Sequence, residues 1–252
     1  MLERFDLGSL VTAPAIWGKL PCHSGVVRSG MRPGESEAWA NWLSMQGAVV
    51  RTGGPMPSTS MLPTVFVLSP GLLSRAIHRF TVGVIVPSMD HIGHRHVLVV
   101  YQLARARWVD RHFTFHISHP CDWFFWLGRA LSRLAALAEA ADIWMLARAV
   151  EELWKAHISV CAGHQLLCRS QCASSPSQEN MEALLERLFE VPSVSDHAVC
   201  PKGARQLPWP DWPQCLLHPS MSMPAAFWQQ GTDGGFVNAA RQLDTLWTCA
   251  PA

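Results

Sequence analysis

Apolar residues in the first half of the chain come in short runs that glycine or proline closes. "APAIWGKL" (Ala13 to Leu20), "TVFVLS" (Thr64 to Ser69), "FTVGVIVPS" (Phe80 to Ser88) and "HVLVVYQ" (His96 to Gln102) are rich in valine and isoleucine. Runs of that length and composition predict buried strands. Between the first two, "ESEAWANWLSMQGAVV" sets Trp39, Trp42 and Leu43 on one face of a helix. Large aromatics at that spacing are expected to be core anchors.

From Pro120 onward the period lengthens. Trp123, Trp126, Leu127, Ala130, Leu131, Leu134 and Leu137 recur at helical spacing after "SHP". Pro120 then falls in the first turn, where a helix lacks that donor's partner anyway. Ile143, Leu146, Ala147, Val150, Leu153 and Trp154 repeat the pattern, and so do Met181, Leu184, Leu185 and Leu188 after "SSPS". The proline-punctuated "LPWPDWPQ" reads as a loop. Strands first and helices later, with one helix near the start, predict one α/β domain in which helices cover a sheet. Its sheet-rich part spans 13–118 and its helix-rich part 119–252. The residues before Ala13 are expected to be dispensable.

Composition narrows the function classes. The chain has 252 residues, 49% hydrophobic and 15% charged, enough for a sizeable core. Twenty basic residues against nineteen acidic ones leave no electrostatic reason to expect nucleic acid or an anionic membrane. Glu3 and Asp6 interrupt what a signal peptide would need as an apolar stretch. The uncharged run from Thr52 to Ser74 holds Pro55, Pro57, Pro63 and Pro70, which argue against a spanning helix. A soluble, cytoplasmic protein is expected. Eight scattered cysteines read as reduced, small apolar residues rather than a disulfide framework.

Candidate chemistry is sparse. Gly18-Lys19 is followed by Leu20-Pro21, without the serine or threonine that would complete a phosphate loop. "DHIGHRH" brings Asp90, His91, His94 and His96 together, residue types that suit zinc at a spacing that matches no named motif. This cluster is the basis of an alternative reading, a metal-dependent hydrolase. Cys161, His164, Cys168 and Cys172 would lie along one stripe of a straight helix and could not enclose one ion. Ser88 in "VPSMD" is not in a nucleophile elbow. The residues point to no catalytic assembly and no cofactor.

Three segments together carry a resemblance. "WGKLPCHSGVVRSGM" resembles the aromatic-Gly-Lys-Leu-Pro turn and following Arg-x-Gly run of the type VI secretion-associated TagF family. "WANWL" resembles the family's tryptophan helix, and "GVIVPSMDHIGHRHVL" its Pro-Ser-x-Asp strand and turn. "SMPAAFWQQG" is similar to a late strand of the family. The resemblance implies a three-layer α-β-α sandwich with a largely antiparallel central sheet. It also implies a non-enzymatic cytoplasmic protein, a post-translational repressor of type VI secretion that binds a forkhead-associated-domain scaffold. The residues that match are Trp17, Gly18, Lys19, Leu20, Pro21, Arg28, Gly30, Trp39, Trp42, Pro87, Ser88, Asp90 and Gly93, and they imply a protein-binding surface. Relative to the family pattern, aspartates are missing at Gly25 and Ala40 and arginines at His91 and His94. If those four groups formed a buried ion-pair cluster in relatives, their positions should meet on one face.

Overall fold

The computed structural model describes residues 10–46, 62–73, 78–89, 94–110, 123–136, 142–167, 176–189, 214–217, 224–230 and 236–248. Among the described residues seven strands form one open sheet: β1 (Ala15–Gly18), β2 (Val27–Ser29), β3 (Thr64–Leu68), β4 (Arg79–Met89), β5 (Arg95–Arg105), β6 (Ala225–Gln230) and β7 (Phe236–Ala240). Their order is β2-β1-β5-β4-β3-β6-β7, and every adjacent pair is antiparallel. The long β4–β5 pair is the centre of the sheet, in register from Arg79 opposite Arg105 to Met89 opposite Arg95.

The four expected strands are β1, β3, β4 and β5. Their near-continuous apolar character follows from burial on both faces. Along β3, Val65 and Val67 join one core with Val82, Val84, Val86, Leu98 and Val100. Phe66 and Leu68 join another with Ile85, Val97, Val99, Tyr101 and Leu103. The expected helix near the start is α1 (Glu35–Met45), and it packs Trp39, Trp42 and Leu43 into the second core. The periodic segments of the second half form α2 (Trp123–Ala136), α3 (Ile143–Leu167) and α4 (Pro176–Phe189), whose apolar residues enter the first core. Among the described residues there are three shorter helices: a single turn at Ala106–Trp108 after β5, α5 (Gln214–Leu217) and α6 (Leu243–Thr248), which adds Leu243 and Leu246 to the second core. Pro120, Leu137 and the tryptophans of "LPWPDWPQ" lie outside the described residues. Among the described residues no helix is long and apolar enough to cross a membrane.

Two features go beyond the hydrophobic pattern of the sequence. The second half is not only helical: β6, which pairs with β3, falls in the "SMPAAFWQQG" segment that the resemblance reads as a late strand, whereas β7, which pairs with β6, has no such signal. The residues just before Ala13 are built into the sheet. The Thr12 N–H donates to the Leu103 carbonyl (3.0 Å), and its hydroxyl accepts from the Leu103 N–H (2.9 Å). Gln102 Nε2 donates to the Thr12 carbonyl (2.7 Å), and Val11 is buried beside Ala104. These contacts speak against the expectation that the residues before Ala13 are dispensable, because a chain starting at Ala13 leaves Leu103 and Gln102 without these partners.

Candidate functional site

The three motif segments meet through backbone and ring contacts. Gly18 ends β1 at φ 142°, and a Cβ there would lie 2.2 Å from the Val97 carbonyl oxygen, so only glycine fits this crossing. The next N–H, from Lys19, donates to that Val97 carbonyl (3.1 Å). The Lys19 carbonyl accepts the Ser88 hydroxyl (2.7 Å). One serine thus ties the Gly-Lys-Leu-Pro turn to the Pro-Ser end of β4, residues far apart in the chain. Leu20 is buried in the first core, and its carbonyl closes the turn by accepting from the His23 N–H (3.0 Å).

The tryptophan helix joins from the other face. Trp17 stacks on Trp39 with centroids 6.4 Å apart, and its Nε1 donates to the Ser36 hydroxyl (3.0 Å). Trp39 also meets Trp42, Phe66 and Tyr101 edge-on or tilted, at 5.7, 5.7 and 5.1 Å. Trp42 stacks on Phe227 of β6 (6.1 Å). Both helix tryptophans are almost fully buried, 0% and 3% exposed, as their spacing predicts.

Sequence reasoning missed the polar centre of this cluster. Glu35 is buried, and its Oε2 accepts the Tyr101 hydroxyl (2.6 Å) and the Arg32 N–H (2.9 Å). Gly34, the residue before α1, has no side chain with which to cap the helix. A carboxylate in the first turn that reaches back to an N–H before the helix does half the work of a capping box, and this was the one available signal. Burial, followed by the hydrogen bond and charge of Glu35, pushes the Tyr101 phenol well above its ordinary value.

Around this frame, Lys19, Pro21, Pro87 and Ser88 are half-buried, while Arg28, opposite Trp17, and Gly30 are exposed. Asp90, His91 and Gly93 lie outside the described residues. His94 is exposed and His96 half-buried, opposite Ser88 across β4–β5. Among the described residues no three histidine, cysteine or carboxylate side chains could share an ion. Cys161 and His164 fall on α3, and Cys168 and Cys172 lie outside the described residues. Gly25 and Ala40 are both exposed, and a Cβ at Gly25 would meet nothing within 4 Å. Charges at those two positions would be solvated, so the argument for a buried ion-pair cluster loses its premise there.

A family model described as the TagF N-terminal domain, type VI secretion system-associated, matches residues 15–153. The chain belongs to the TagF family. The match opens on the first residue of β1 and runs into α3, so it takes in all three motif segments of this TagF member. Strands β6 and β7 lie beyond it. A comparison with curated proteins finds no match. Among solved structures, PA0076 from Pseudomonas aeruginosa PAO1 is similar at 19% identity over 69% of this chain and 78% of that one, with a TM-score of 0.41.

Proposed function

We propose that this type VI secretion system-associated chain is a non-enzymatic cytoplasmic regulator, a post-translational repressor that acts by binding a forkhead-associated-domain scaffold protein. The observation that carries the reading is the family match over residues 15–153. The joining of its motif segments by Ser88, Gly18 and the Trp17–Trp39 stack supports it. In this reading the buried motif residues hold the frame. Lys19, Pro21, Arg28, Gly30, Pro87 and Ser88, with Asp90 and Gly93, form the surface the partner meets. The chain is read as one domain, a three-layer α-β-α sandwich, and the two cores fed by alternate strand residues support that view.

The test is titration of the purified chain against the purified scaffold. The expected result is a complex at micromolar concentration through an interface smaller than about 1,200 Å², the transient class. Lys19→Glu and Arg28→Glu should weaken it while leaving the melting temperature unchanged. No complex at that concentration overturns the partner. No observation favours the metal-dependent hydrolase reading on Asp90, His91, His94 and His96, two of which, Asp90 and His91, lie outside the described residues.

A further inference from the structure

Three arginines gather at the end of the central strand pair farthest from the motif turn. Arg79 opens β4 and Arg105 closes β5, and the two stand directly opposite each other in the register. Side chains so placed have Cβ atoms about 4.5–5.5 Å apart, and like charges there repel. Arg79 does not turn away from its neighbour. Its Nη1 donates to the Leu103 carbonyl (3.3 Å), the oxygen that also accepts the Thr12 N–H, so the guanidinium is held over β5.

Arg32 lies in the segment leading into α1 with its N–H on Glu35, whose carboxylate also takes the hydroxyl of Tyr101, a residue on the same face of β5 as Arg105 and four positions before it. Partial burial, then the charges of Arg105 and Arg32, hold the Arg79 guanidinium below its ordinary value. Among the described residues none of the three forms an ion pair. Glu35, the carboxylate close to Arg32, is committed to the Tyr101 hydroxyl and a backbone N–H.

Three like charges held together with no ion pair among the described residues, and only the Glu35 carboxylate nearby, are a cost to the fold that a bound anion offsets. Planar guanidinium forks match the oxygens of a tetrahedral oxyanion and bind it through paired hydrogen bonds. We propose that Arg32, Arg79 and Arg105 form a binding site for a phosphate group, with half-buried Arg79 at its base and the exposed Arg32 and Arg105 at its rim. The site does not depend on the partner reading, although Arg32 follows Gly30 of the motif surface by two residues.

The experiment uses the full chain and inorganic phosphate as probe, followed by calorimetric titration and by melting temperature, against sodium chloride at equal ionic strength. Phosphate is expected to bind and raise the melting temperature where chloride does not. Arg105→Gln and Arg32→Gln should each weaken binding by about tenfold or more. Neither should lower the melting temperature in phosphate-free buffer, because each removes repulsion. Arg148→Gln, an exposed arginine on α3, should keep the full response. Tighter binding of O-phosphoserine than of AMP would assign a protein-borne phosphate, and the reverse a nucleotide; either supports the site. Equal responses to phosphate and chloride overturn it, as does a wild-type response in both Arg105→Gln and Arg32→Gln.

Discussion

Tyr101 is the sole tyrosine of the chain, and its hydroxyl on Glu35 lets one residue report on the whole α1 contact. Its phenol is pushed above the ordinary value of 10.0, so the folded chain keeps the proton that the unfolded chain has released. The stability this residue contributes is fully present below about pH 10 and is lost as pH rises beyond it. In an alkaline titration, phenolate absorbance should therefore appear together with the loss of tryptophan near-UV dichroism, and not before it. A phenolate that forms while the dichroism is intact would mean that Tyr101 is open to solvent. Tyr101→Phe leaves the buried Glu35 with only the Arg32 N–H, and should cost about 1–3 kcal/mol in urea unfolding. None of this could be read from the sequence, because Glu35 and Tyr101 are 66 positions apart.

Helix α1 shows how an element inherits its position from a few side chains. Its tryptophan spacing was legible along the chain, since residues three and four apart share a helix face. What those rings would meet was not: Trp39 packs on β1, β3 and β5, and Trp42 on β6. Trp42→Ala should destabilise the protein by about 3–5 kcal/mol, a large part of what an ordinary domain has. A lowered urea midpoint with an unchanged slope is the expected readout. On the other face, Glu182 of α4 accepts from both Arg129 (3.2 Å) and Arg133 of α2, so the two helices are pinned by charge as well as by packing. The short strands carried too little pattern to be found. β2 has three residues, fewer than an alternation needs to stand out, and β7 (Phe236–Ala240) sets two apolar residues on each side of Asn238, which is neither an alternation nor a valine-isoleucine run.

At the scale of the whole molecule, the last elements of the chain extend and cover the sheet. β6 covers the edge of β3, and α6 fills the second core beside α1. A chain ending at Leu217 would uncover a five-residue strand buried along its full length. An uncovered apolar edge pairs with other chains. Such a truncation should elute as aggregate in size exclusion, and a monomer with native dichroism would show that β6 and β7 are dispensable. Deleting residues 1–12 removes three hydrogen bonds to Gln102 and Leu103 along with buried Val11. Each such bond contributes about 0.5–1.5 kcal/mol, so a clear fall in melting temperature is expected. A deletion of residues 1–9 alone leaves these contacts in place and gives the matching control.

The sequence by itself determined four of the five inner strands, the three long helices of the second half and α1. Each has a period of two or 3.6 set by the geometry of its own backbone, and that needs no partner to be visible. It also determined the family, through motif residues whose order along the chain is itself the signal. Only the tertiary structure decided why those motifs belong together. The Ser88 hydroxyl on the Lys19 carbonyl, Gly18 against Val97 and Trp17 on Trp39 are meetings across the sheet, which local periodicity cannot encode. The same holds for the late strand β6 beside β3, and for Arg32 beside Arg79 and Arg105, because strand order and register arise from the whole chain packing at once.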